Sequence, residues 1–161
     1  PYTTLFRSIG FTLVGVLMNA AAEPYHTAQL SNGIRIYIGD PDMILTPGFY
    51  TYEIRYTATR ELGFFSDHDS LFWNVTGNGW SFPIDHASAT VHLPAAIPLD
   101  AVTTTAYTGA SGSMEHAYEG STTPDSVAFT TTRPLDAFEG FSIMVNWPKG
   151  GSDPVTRNCT G

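Results

Sequence analysis

Two carboxylates flank an imidazole at Asp67-His68-Asp69, between Gly63-Phe64-Phe65 and Phe72-Trp73-Asn74. Such a set can ligate a metal or work as an acid–base pair. In a strand, however, Asp67 and Asp69 share one face and His68 takes the other, so convergence requires a loop. The plainer alternative is a turn whose Asp side chains cap local backbone N–H groups. Asp85-His86, after Pro83, would add a ligand if its loop lay beside the first, whereas His26, His92 and His116 fall in separate strands or loops and are expected to face solvent. No G-x-S-x-G elbow is present, and Ser111 and Ser113 sit in a Gly-rich stretch that reads as a loop. Cys159 lies near the end of the chain with no base evident to activate it. Trp73 and Trp147, inside apolar segments, are expected in the core. Trp80 beside Gly79 is the open one, able to stack on a sugar ring. The candidates are thus Asp67, His68, Asp69 and Trp80, with no catalytic residue, metal or cofactor assigned.

The elements that must position these side chains are strands. At 50–57 Tyr50, Tyr52, Ile54 and Tyr56 alternate with Thr51, Glu53, Arg55 and Thr57, the period of a half-buried strand. Segments 34–38, 71–75, 87–93, 102–107, 127–132 and 142–147 read the same way, with the four tyrosine-strand apolar residues expected against a facing sheet. Segment 11–17, β-branched and Gly-containing, reads as a buried strand rather than a helix. Asn32-Gly33, Asp40-Pro41, Pro47-Gly48, Gly77-Asn78-Gly79, residues 109–112 and Thr123-Pro124-Asp125 supply turns between them. Turns at intervals of roughly 8–15 residues without an intervening helical period predict an all-β, antiparallel, Ig-like sandwich. Asn74-Val75-Thr76 and Asn158-Cys159-Thr160 match glycosylation sequons, the first expected inside a buried strand.

Composition agrees. The chain has 161 residues, 42% of them apolar and 13% aromatic, enough for one core. Charged residues are 14%, with 7 basic against 15 acidic and a formal charge of −8. That balance argues against binding nucleic acid through phosphates or docking on anionic lipid. A single cysteine excludes an intrachain disulfide and a thiolate metal cage. Threonine, 21 by count, suits strands with one wet face.

The octapeptide Pro1-Tyr2-Thr3-Thr4-Leu5-Phe6-Arg7-Ser8 resembles a translated sequencing adapter. It is set aside as 1–8, leaving a sandwich domain at 9–150 and a linker or tail at 151–161. With it goes the basic residue of an apparent secretion signal, since Arg7 precedes the apolar run from Ile9 to Met18. The natural chain is expected to continue upstream of Ile9, and no apolar run here reaches the roughly 18–20 residues of a membrane-spanning helix.

Several stretches carry a resemblance: Ile36-Tyr37-Ile38-Gly39-Asp40-Pro41-Asp42, Tyr50 to Tyr56, Leu62 to Asp69, Phe72-Trp73-Asn74-Val75-Thr76-Gly77-Asn78-Gly79-Trp80, Phe82-Pro83-Ile84-Asp85, Ala87 to Pro94, and Val145-Asn146-Trp147-Pro148-Lys149-Gly150. Over about 9–150 the chain resembles the N-terminal domain of a bacterial predicted membrane protein family, domain-of-unknown-function family 2207. The resemblance implies a signal peptide, a β-rich domain on the extracytoplasmic side of the cell membrane, then spanning helices. It supplies no catalytic residue, and it implies that the His86 position is usually basic. The family domain begins several strands before Ile9, so this chain is expected to lack the first strands of its sandwich and to expose a sheet edge. The all-β pattern, the Thr-rich acidic composition and the lack of a nucleophile or cofactor motif lead to the expected function, a non-enzymatic module of a membrane-anchored protein, binding an envelope protein or polymer. The alternatives are a metal-dependent or hydrolytic site at Asp67, His68 and Asp69, or carbohydrate binding through Trp80.

Overall fold

Period-two burial and glycine-rich turns run through the computed structural model, which describes residues 10–31, 33–94, 97–123, 125–149 and 159–160. The adapter-like octapeptide, most of the expected linker and Asn158 of the second sequon lie outside the described residues. Among the described residues thirteen strands are present: β1 Gly10–Met18, β2 Ala21–Ala22, β3 Tyr25–Leu30, β4 Gly33–Ile38, β5 Tyr52–Thr59, β6 Leu62–Phe64, β7 His68–Asn74, β8 Ser88–His92, β9 Thr103–Gly109, β10 Tyr118–Thr122, β11 Ser126–Thr131, β12 Gly140–Pro148 and β13 Cys159–Thr160. Every pairing between them is antiparallel. A 3-10 turn, Leu99–Ala101, interrupts the strands. The fold is all-β and antiparallel.

The strands fall into two compact units, one within Pro1–Thr59 and Asn158–Gly161, the other within Arg60–Arg157. The second unit is a sandwich of a four-stranded sheet, β6-β7-β12-β9, and a three-stranded sheet, β10-β11-β8. Inward residues alternate along β12 as Phe141, Ile143, Val145 and Trp147, and along β11 as Val127, Phe129 and Thr131. With Ala106 of β9, Ala87, Ile97 and Leu135 the apolar ones make a buried cluster spanning both sheets. Two buried threonines beside it are partnered: Thr131 Oγ1 accepts from Ala87 N at 3.1 Å, and Thr108 Oγ1 accepts from Ala117 N at 3.1 Å. The buried Trp147 Nε1 and Asn146 Oδ1 find no hydrogen-bond partner among the described residues. Trp147 is buried as expected of a core tryptophan, and Trp73 packs against the cluster's edge.

The first unit holds the sheet β13-β5-β1-β2 and the hairpin β3-β4. The register of β1 on β5 pairs Phe11 with Ala58 and Leu13 with Tyr56, which puts all four on one face. It then shifts between Leu13 and Gly15, and this bulge leaves Val14 exposed while keeping Val16 beside Ile54 on that face. The apolar side is buried at Val16 and Ala58, and Phe11 stacks on Tyr56 with ring centroids 5.1 Å apart. At the other end the expectation of burial fails: Tyr52 is 43% and Ile54 38% exposed, and Tyr50 precedes the strand. Alternation fixes which face is apolar, not how far a neighbour covers it. Cys159, expected in an irregular tail, instead belongs to β13, paired opposite Ala58.

Candidate functional site

All four candidate residues belong to the sandwich unit. Asp67 lies in the bend before β7, so it escapes strand parity and its carboxylate accepts a hydrogen bond from His68 Nδ1 at 2.8 Å. That bond holds the Asp67 carboxyl below its ordinary value of 3.8. The imidazole stacks on Phe65, centroids 4.6 Å apart and planes 12° from parallel. A carboxylate orienting an imidazole is half of an acid–base site. The register places the third member on the other side: Asp69 lies opposite Trp147 and shares the core-facing side of β7 with Leu71 and Trp73.

Asp69 is therefore buried, its side chain 4% exposed, and it accepts from Lys149 Nζ at 2.6 Å. Lys149 also lies 5.4 Å above the Phe64 ring, within cation–π range. The sequence cluster thus separates into an outward pair, Asp67 with His68, and an inward one, Asp69 with Lys149. Lys149, two residues past Trp147 in sequence, is not among the sequence candidates. Only the pairing of β7 with β12 brings it there. Among the described residues no group of three or more His, Cys, Asp or Glu side chains is close enough to hold a metal ion. Asp85 and His86 are both exposed, and His26 stacks on Tyr37 at 4.5 Å. His116 is exposed but anchored, Nδ1 donating to the Ala106 carbonyl at 2.7 Å.

Trp80 follows the Gly77 turn, where φ is +71°, a conformation that favours glycine. Its indole is fixed by Nε1 donating to the Thr76 carbonyl at 2.6 Å and is tilted against Phe82 at 5.3 Å. Trp80 and Phe82 remain 46% and 56% exposed, on an open, mainly apolar recess of about 330 Å³ lined by Val75, Thr76, Trp80, Phe82 and Ile84. The Trp80 carbonyl accepts from Phe138 N at 2.8 Å, which brings a further exposed aromatic residue to this end of the sandwich. Asn74 corrects an expectation: it ends β7 exposed, its Oδ1 accepting from Gly77 N at 2.9 Å, rather than lying in a buried segment.

A second polar feature is not legible in the sequence. Arg133 donates to Glu115, to Glu139 Oε2 at 2.6 Å and to the Pro134 carbonyl at 2.7 Å. Arg133 holds both Glu carboxyls below their ordinary value of 4.5, and Asp136 N adds to this at Glu139. The carboxylates in turn raise the guanidinium. Depressed carboxyl values stabilise the folded state above the unfolded value and cease to do so as pH falls through the folded value. Arg133→Met is therefore expected to lower the melting temperature modestly at pH 7 and to flatten its fall below about pH 4.5, read by thermal unfolding across a pH series. The partial exposure of Glu115 keeps the effect small.

These features define an antiparallel β-sandwich protein with an aromatic recess at one end. The family described as "Predicted membrane protein (DUF2207) N-terminal domain" matches residues 3–147, and the chain belongs to that family. The match begins inside the adapter-like octapeptide. A stretch of 76 residues, 47% of this chain, is 36% identical to the "Uncharacterized protein YciQ" of Escherichia coli (strain K12) and spans 12% of that protein's length. No solved structure matches the chain. Among the described residues no helix is long and apolar enough to cross a membrane.

Proposed function

We propose that this chain is a non-enzymatic interaction module, carried on the extracytoplasmic side of a membrane-anchored bacterial protein, which docks an envelope protein or polymer. The observation that carries the reading is the Trp80–Phe82 recess. Two half-exposed aromatic side chains, one with its indole pinned by a backbone carbonyl, stand just past a strand end. Large rigid aromatic rings bring contact area at low entropic cost and are enriched at binding hot spots. Membrane association of the family supports an envelope setting. The compartment is tested on the full-length parent by protease accessibility in spheroplasts before and after lysis, with cleavage of this domain expected in both.

Docking is tested by immobilising the chain and its Trp80→Ala/Phe82→Ala variant and passing solubilised envelope fractions over both. The expected result is a defined set of components retained by the natural sequence and reduced at least tenfold by the variant. Equal retention by the two overturns the reading.

A second reading, sugar binding, is favoured by the fixed, half-exposed indole, a platform suited to stacking on a pyranose face. Oligosaccharides are then expected to shift the emission of Trp80, with Trp80→Phe abolishing the shift while the signals of Trp73 and Trp147 stay. An unchanged spectrum across a broad glycan panel removes this reading.

A further inference from the structure

Among the described residues, the largest run of exposed apolar side chains lies in the other unit, on the loop between β4 and β5. Met43 is 66%, Ile44 94%, Leu45 42% and Phe49 104% exposed, four large apolar residues within seven positions. The loop is firmly rooted. At one end Gly39 N donates to the Pro24 carbonyl at 2.8 Å, and at the other Thr51 N donates to Asn19 Oδ1 at 2.9 Å while Asn19 N donates to the Thr51 carbonyl at 2.8 Å. Its first turn is closed by Asp40, which accepts from Asp42 N at 2.9 Å and Met43 N at 3.1 Å. Near the tip the Tyr50 hydroxyl donates to the Thr46 carbonyl at 2.6 Å, and Pro47 has no N–H to satisfy. An anchored loop that presents bulky apolar side chains can seat them at the headgroup–acyl boundary while water still reaches the rest of its backbone.

We propose that residues 43–49 form a bilayer-docking loop, inserting Met43, Ile44, Leu45 and Phe49 shallowly into the interface of a neutral, zwitterionic membrane. Three observations select this occupant. The chain belongs to a membrane protein family, so a bilayer is at hand. Four such side chains bury on the order of 400 Å², short of the roughly 800 Å² per partner of a stable protein interface, whereas shallow insertion of about 5–10 Å needs no shape complementarity. Finally, Asp40 and Asp42 at the loop's root and a formal −8 on the chain oppose an anionic lipid surface, leaving neutral headgroups as the match. This goes beyond the Trp80 recess and does not depend on it.

The test is co-sedimentation of the full chain with sucrose-loaded phosphatidylcholine vesicles. The expected result is a pelleted fraction above the vesicle-free background that changes little with salt, since no charge pairing drives it, and that falls when phosphatidylglycerol is added. Ile44→Ser/Phe49→Ser is expected to lower the partition coefficient roughly tenfold or more, while Met114→Ser, at an exposed apolar site in the other unit, leaves it unchanged. A fluorophore on Ile44→Cys in a Cys159→Ser background is expected to shift to the blue on vesicle addition. No pelleting above background, equal pelleting by the double variant, or a dimer of the natural sequence that the double variant converts to monomer would each overturn the proposal.

Discussion

Phe129→Ala is expected to cost about 4 kcal/mol of unfolding free energy. Phe129 stands at the middle of β11, the central strand of its sheet, and is 1% exposed. It meets Tyr118 of the neighbouring strand β10 with ring centroids 6.1 Å apart. Truncation removes the transfer energy of the ring and leaves a cavity between two sheets held by backbone ladders on both sides, where collapse is restricted. Because domains of this size are stable by only about 5–15 kcal/mol, the loss consumes a large part of the total. Phe72→Ala is the matched control. Phe72 also lies in a strand of the sandwich but on its outward face, 55% exposed, and its removal is expected to change stability by less than about 0.5 kcal/mol. Urea unfolding checks both, with a lower midpoint at unchanged slope for Phe129→Ala. Similar midpoints for the two variants would contradict the assignment of the inward face.

That contrast also marks what is legible in the sequence. Strands β11 and β12 are readable because each has both an alternating apolar register and a buried inner face, so the pattern of 127–132 and 142–147 survives almost unshifted in Ser126–Thr131 and Gly140–Pro148. Strands β3 and β10 are not. Tyr25-His26-Thr27-Ala28-Gln29-Leu30 and Tyr118-Glu119-Gly120-Ser121-Thr122 carry mostly polar or small residues, and the partner strand rather than the side chains makes them extended. Tyr52 and Ile54 show the converse: their alternation names an apolar face correctly, yet water reaches it because burial depends on what lies opposite. At the site, Trp80 is readable as open because a glycine turn precedes it. The partition of Asp67, His68 and Asp69 is half readable. Parity separates His68 from Asp69, but the Lys149 that meets Asp69 lies 80 positions away, in a register that no local pattern encodes.

Lys149→Met is the second large effect, expected to cost about 2 kcal/mol, less than the usual loss for a fully buried pair. The Asp69 carboxylate is turned into the sandwich opposite Trp147, with its side chain 4% exposed, and Lys149 supplies a positive charge at 2.6 Å. Breaking a buried pair from one side typically costs about 3–5 kcal/mol because the remaining charge stays desolvated. Here the ammonium end is 41% exposed, so water replaces part of what it gave and the loss is smaller. The contact of Lys149 with the Phe64 face is lost in the same substitution. Asp69→Asn removes the charge that Lys149 neutralises, so the double variant Asp69→Asn/Lys149→Met is expected to fall short of the sum of the single costs by about 1 kcal/mol or more. High salt is expected to leave most of this coupling in place, because the carboxylate end is shielded from ions by the protein. A double-mutant cycle by urea unfolding, at low and at high salt, measures it. Additive costs, or a Lys149→Met variant within about 0.5 kcal/mol of the natural sequence, would show that the pair contributes nothing to the fold. Asp69 would then be a buried carboxylate kept for another reason.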